Sequence, residues 1–443
     1  LWLQGKIQKQ PEIRYHFVTL VLLLLIFCGA AAQSFYPATD PARYQCYALT
    51  FWQGSNSINQ LPHVQCTFLQ ITHPQPSFHM LPKEYPPFTL IPFSLPLLLP
   101  FINYQIIFAL LMSLTILLLY WLLLRFGRRN AAFAYMLYIT LGACAIAPMR
   151  YDLLPALSTL LCLIAARYQR WTLAYLALAV GVLLKIYPLL LFPALFIAEQ
   201  QAKACLVTPA STHIRELPNE LWQAIRSLFR CSWGNTLLFF ATLLVVTGLF
   251  ALSDIQNALI SQFAYFLQRP VQIESLNATL TWIAHKGGRS WKIAYEFGSI
   301  NIYTSLNSYL STLFTCLLIF GVIYTLWLQW QQRCSLPQTA IALLLIFIAT
   351  GKVFSPQYLI WLIPLLAYAG YYTRPWLYIW SAISLLTTFI YVVFYSQILN
   401  PKHIVIPVGF FEIAALRNML LTYLTLAYLF NWHHLRTTNY NSI

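Results

Sequence analysis

The chain alternates long apolar runs with short polar connections. Uncharged runs cover 15–39, 85–124, 130–149, 231–253, 297–332, 334–351, 353–373 and 375–401. A bilayer-spanning helix needs roughly 20 mostly apolar residues, and most of these runs reach that length. Helices are predicted near 17–33, 103–125, 131–148, 153–168, 171–184, 187–198, 235–252, 303–330, 338–350, 359–372, 376–396 and 409–431. The pattern gives an all-α integral membrane protein, a polytopic helical bundle with about 12 transmembrane helices. A β-barrel would show short alternating strands instead. The segment FTLIPFSLPLLLP, 88–100, is apolar but broken by Pro92, Pro96 and Pro100, and reads as a re-entrant or interfacial piece.

One stretch decides the topology. A single helix over 171–198 would invert everything downstream. It would also put Lys185 in mid-membrane, where a charge is expensive. Pro188 would remove a backbone donor and clash one turn back. A bend at Lys185–Pro188 avoids both costs.

Composition agrees. The 443 residues are 59% hydrophobic and 8% charged, against about 25% charged in a soluble domain. Mean hydropathy is +0.65. The net charge of +15 is scattered over short loops, which points to the positive-inside bias rather than to a nucleic-acid partner. With Lys6, Lys9 and Arg14 inside, more than half of the 26 Lys and Arg residues fall on the cytoplasmic side. The expected organisation is a cytoplasmic N-terminus (1–16), one transmembrane domain (17–431) and a cytoplasmic tail (432–443). The domain contains outer loops at 34–87 and 253–302 and a cytoplasmic loop at 199–234. The N-terminal region, beginning at Leu1, reads as an uncleaved first helix rather than a cleaved signal peptide. Nine cysteines show no CxxC spacing; Cys46 and Cys66 share the first outer loop and can pair if that loop is exocytoplasmic.

The charged residues near helix ends fall on one expected side. Asp40, in T39-D40-P41, suits a general base and equally suits a turn or helix cap. Glu84 and Tyr85 lie in KEYPP, either a functional pair or an interfacial charge pair with Lys83. Arg150 and Asp152 lie in PMRYD, where Arg offers a planar fork for phosphate or closes a short loop on Asp152. Lys185 and Tyr187 mark the bend, where a lysine can also snorkel. Arg269, Glu274 and Ser275 lie in QRPVQIES, which can be an amphipathic interfacial connector. Lys352, Ser355, Gln357 and Tyr358 lie in GKVFSPQY, where Pro356 discourages helix at Ser355. Together they describe a one-sided site with carboxylates for proton transfer and cations for a phosphate.

RYDLLPALSTLL, GVLLKIYPLLLFPALF, QRPVQIESL and GKVFSPQYLIWLIPL resemble glycosyltransferase family 87, integral-membrane enzymes of the GT-C fold. The resemblance spans roughly 30–370; KIYPLLLFP and KVFSPQYLIW are its most specific parts. It implies inverting transfer of a sugar, plausibly mannose, from a polyprenyl-phosphate donor to a lipid or glycan acceptor at the outer face of the cytoplasmic membrane. Asp40 would be the base. Arg150, Lys185, Arg269 and Lys352 would hold the donor phosphate, while Ser355 and Gln357 would bind sugar or phosphate oxygens. No cofactor is expected; no metal motif is evident, although Asp40 with Asp152 or Glu84 leaves a divalent metal open. The first outer loop is longer and richer in His than the family pattern. Residues 375–443 fall outside the resemblance, and Glu412 and Arg417 there either pair structurally, the preferred reading, or line the acceptor side. A lipid-linked-sugar flippase or other transporter is the alternative, but such proteins favour midplane polar groups and internal repeats, and none is seen here.

Overall fold

The computed structural model describes residues 39–62, 64–71, 73–100, 103–144, 146–204, 231–398 and 404–430, with helical positions between Phe17 and Cys28. The expected N-terminus 1–16, the tail 432–443, the start of the first outer loop and most of the loop 199–234 lie outside the described residues.

Among the described residues five helices are long and apolar enough to cross a membrane: α3 (Tyr104–Phe126), α8 (Gly234–Ala251), α11 (Asn307–Trp330), α14 (Arg374–Phe389, continuing through a π turn to Gln397) and α15 (Phe410–Leu429). Besides the short run Pro87–Leu98, the shorter apolar helices there are α4 (Ala131–Ala143), α5 (Leu153–Arg167), α6 (Trp171–Leu184), α12 (Leu336–Thr350) and α13 (Gln357–Ala369). At 1.5 Å per residue they span only about 20–23 Å. Among the described residues the expected twelve crossings are thus not matched by twelve long helices.

The short helices form the centre. Every residue of α13 from Leu359 to Ala369 is buried, which explains why that helix is apolar all round. Helices α4, α5 and α12 pack beside it, and α6 packs on α5. By contrast, α8 and α11 expose leucines, isoleucines and phenylalanines. In water such surfaces are unfavourable, whereas in a bilayer acyl chains cover them.

The expected bend after α6 is present. The helix ends at Leu184 with Lys185 extended, and α7 (Phe192–Ala202) follows a 3-10 turn at Tyr187–Leu191. Pro188 occupies the first turn, where its missing N–H is harmless. Residues 351–356 likewise separate α12 from α13.

Two segments differ from expectation. The segment expected as the first outer loop contains α1 (Asp40–Gln53) and a Cys46–Cys66 disulfide, and the proline-broken apolar segment after it forms a short helical run, Pro87–Leu98, that includes α2 (Leu90–Ser94). The loop 253–302 contains α9 (Ser261–Gln268), α10 (Leu276–Lys286) and strands that correct the purely helical reading. Strand β1 (Val271–Gln272) and β2 (Lys292–Glu296) both pair antiparallel with β3 (Ser299–Tyr303). The β2–β3 turn is Phe297-Gly298, with φ of +54° and +66°. Positive φ at both positions matches the twist of a two-residue hairpin. Val271, Ile300 and Ile302 pack on Phe410 and Phe411 at the start of α15.

Candidate functional site

Thr39 caps α1 by accepting a hydrogen bond from the Ala42 N–H at 3.4 Å. Asp40 is therefore not the cap. It occupies the first turn, where the helix dipole favours an acid. The helix ends at Gly54, whose φ is +81°; a Cβ there would lie 2.9 Å from the Gln75 carbonyl oxygen. This helix carries Asp40 and Arg43 on one face into a cavity of about 1660 Å³.

The cavity collects residues from six distant segments. Asp40, Arg43, Glu84, Tyr85, Arg150, Lys185, Tyr187, Arg269, Glu274, Ser355, Gln357 and Tyr358 all line it. Three expected residues do not. Asp152 stands behind the wall and is 1% exposed. Ser275 is buried as the N-cap of α10, accepting from the Ala278 N–H. The Lys352 ammonium donates to the Leu267 carbonyl at the end of α9, at 2.7 Å.

The charges are largely paired. Arg150 Nη1 lies 2.5 Å from Asp40 Oδ2, so Arg150 closes on Asp40 rather than on its neighbour Asp152. Arg43 Nη2 lies 2.5 Å from Glu84 Oε1, with its guanidinium 4.5 Å from the Phe68 ring centre. Burial opposes the charge on both arginines. Asp40 beside Arg150 and Glu84 beside Arg43 more than offset it, and both guanidinium pKa values are raised. Lys185 Nζ donates to Asp152 Oδ1 at 2.5 Å, and Trp361 Nε1 donates to the same oxygen at 2.6 Å. Here burial outweighs the attraction of Asp152, and the ammonium pKa falls below the ordinary lysine value. The Lys352 pKa is also lowered, by burial and then by repulsion from Arg269.

Arg269 differs from the other three cavity cations. Among the described residues no carboxylate pairs with it; its guanidinium lies 5.6 Å from the Tyr265 ring centre. Glu274 lines the cavity but is committed to Arg417. Arg417 Nη1 donates to its Oε2 at 2.8 Å, and Tyr395 donates to its Oε1 at 2.8 Å. This replaces the expected pairing of Arg417 with Glu412. Glu84 likewise pairs with Arg43 rather than Lys83.

Several cavity groups carried no distinct signal in the sequence. Trp361 stacks on Tyr187 at 4.1 Å and on Tyr358 at 4.2 Å between ring centres. It lies inside an apolar run, where an aromatic residue looks like core. Arg43 could have been found from its position three residues after Asp40, on the same helix face. Among the described residues no cluster of three or more His, Cys, Asp or Glu side chains forms. No protein-family model matches the chain, and no curated protein matches it.

Proposed function

We propose that this protein is a membrane glycosyltransferase. It moves a sugar, with mannose as the first to test, from a polyprenyl-phosphate donor to a lipid or glycan acceptor at the outer face of the cytoplasmic membrane. The observation that carries this reading is one cavity holding an accessible carboxylate, Asp40, together with the cations Arg150, Lys185 and Arg269. The resemblance of the quoted motifs to glycosyltransferase family 87 supports it.

In this reading Asp40 accepts the acceptor hydroxyl proton on Oδ1 while Arg150 holds Oδ2; a carboxylate has lone pairs for both. The acceptor oxygen attacks the anomeric carbon. The bond from that carbon to the phosphate oxygen breaks, and its electron pair leaves with polyprenyl phosphate. Fixed cations stabilise the charge growing there. Arg269 meets the phosphate first, because it needs no partner exchange. Arg150 keeps its contact with Asp40 Oδ2, and its remaining N–H groups turn toward the phosphate as the donor binds.

The test is transfer from radiolabelled polyprenyl-phosphate mannose to membrane lipid by the purified chain, with Asp40→Asn in parallel. Transfer by wild type alone supports the reading. Equal turnover by both removes Asp40 as base. Transfer by neither, with a panel of polyprenyl-linked sugars, overturns the enzyme reading.

A further inference from the structure

The segment after α8 passes through a π turn at Gln256–Ile260 into α9, and its amphipathic pattern is reversed. A surface helix of a water-soluble protein turns its apolar stripe inward and its polar face outward. Here the outward row is apolar: Ile255, Leu259, Phe263 and Leu267 recur every four residues and are 46–72% exposed. The inward row is mostly polar: Gln262, Tyr265 and Arg269 line the cavity, and the half-exposed Phe263 reaches it as well. The Tyr265 hydroxyl donates to the Phe297 carbonyl at the hairpin tip, at 2.8 Å, and this fixes which face turns in.

The outward row continues an apolar surface that begins on α8. Leu237, Leu244, Leu249 and Leu252 are 63–85% exposed on that helix and just past its end. Helix α8 is one of the five long enough to cross a membrane, and it buries only Thr236 and Phe239. Pro87–Thr89 packs against α8, and the helical run it begins shows the same feature: Ile91, Leu95 and Leu98 are 48–82% exposed. Residues 255–268 extend only about 21 Å, too short to cross a core of about 30 Å.

We propose that residues 255–268 lie within one leaflet of the membrane and form the wall between the cavity and the bilayer. Acyl chains cover Ile255, Leu259 and Leu267, Phe263 stands between the two sides, and the polar row faces the cavity. Arg269, just past the helix, then sits at headgroup depth, where its charge reaches water. This placement stands whether or not the cavity transfers sugar.

Benzophenone probes placed one at a time at Leu259 and Leu267 test it, using the full chain in nanodiscs of phosphatidylethanolamine and phosphatidylglycerol. Leu244 on α8 serves as the in-membrane reference and the exposed Arg289 as the solvent reference. Phospholipid adducts at Leu259 and Leu267 matching those at Leu244, with none at Arg289, are expected. Adducts at Leu244 alone, or cross-links from Leu259 or Leu267 to a second copy of the chain, would overturn the lipid assignment. A second measurement needs no substitution: radical footprinting of the unmodified chain in the same nanodiscs. Leu259 and Leu267 should be protected while the exposed Tyr295 is oxidised; oxidation of Leu267 as fast as Tyr295, after scaling for intrinsic reactivity, would overturn the placement.

Discussion

Arg150 Nη1 rests 2.5 Å from Asp40 Oδ2, so the proposed base is held by a cation also expected to meet the donor. Removing either residue has a different signature. Asp40→Asn keeps the side-chain volume but cannot take a proton, and kcat should fall by about 10²–10⁴-fold with little change in donor KM. Arg150→Gln should lower kcat and raise donor KM together. Steady-state kinetics on both variants make the comparison. Equal kcat and KM defects in the two would mean that the pair serves only to shape the cavity.

Arg269 and Lys352 now part company. Both were expected to hold the donor phosphate, but Arg269 lines the cavity and Lys352 binds the end of α9. A hydrogen bond to a charged group contributes about 1.5–3 kcal/mol, so Arg269→Ala should weaken donor binding by roughly 10- to 100-fold. Lys352→Met should leave donor affinity nearly unchanged and lower thermal stability slightly. Equilibrium binding of polyprenyl-phosphate mannose to each variant decides. A larger loss at Lys352 than at Arg269 would restore the reading made from sequence.

Lys185 gives a pH signature. Burial lowers its pKa, and Asp152 partly opposes that shift. The charged form is the one that can bind a phosphate. As pH rises through the depressed pKa the charge is lost, so transfer should fall off below the ordinary lysine range, near pH 10.4. Asp152→Asn removes the opposing attraction and should move that alkaline limb to lower pH. Lys185→Arg should abolish the limb. A pH–rate profile that is identical in wild type and Asp152→Asn would exclude Lys185 from the reacting complex.

The disulfide makes topology testable. Cys46 lies in α1, and Cys66 precedes Thr67, Phe68 and Gln70, which line the cavity. The bond spans a sequence separation of 20. Closing a loop of that size stabilises a fold by about 3 kcal/mol in the chain-entropy model. Protein isolated without reductant should gain two reactive thiols on reduction, and its apparent Tm should drop. Both thiols found free at isolation would place α1 in a reducing compartment and contradict the outer-face assignment.

How legible this was depended on the kind of interaction. The bend at Lys185 was readable because Pro188 and a mid-membrane charge both act locally. Helices α5, α6 and α13 followed from apolar run length. Ion-pair partners were not readable: Arg43 lies 41 positions from Glu84, and Arg417 lies 143 from Glu274. Only packing brings such residues together. The sheet was missed because KIAYE and SINIY are short, mixed in polarity and stabilised by Phe410 and Phe411 from another helix. Trp361 was missed because its role lies in the Asp152 oxygen it contacts.

The Glu274–Arg417 pair is the last case, and it separates stability from chemistry. Both side chains are at most 1% exposed, and the pair joins the loop between β1 and α10 to α15. The Arg417 Nη2 and Asn418 Nδ2 groups also donate to the Glu274 carbonyl. Removing one member strands a buried charge, which typically costs about 3–5 kcal/mol. Arg417→Met should therefore lower the apparent Tm sharply. Combining it with Glu274→Met removes both charges, so the double variant should recover part of the loss. Recovery should stay partial because the Glu274 carbonyl and the Tyr395 hydroxyl each lose a partner. A double-mutant cycle measured by thermal unfolding gives the coupling. If Glu274→Met alone left the Tm unchanged and abolished transfer, Glu274 would belong to the reacting groups and not to the frame around them.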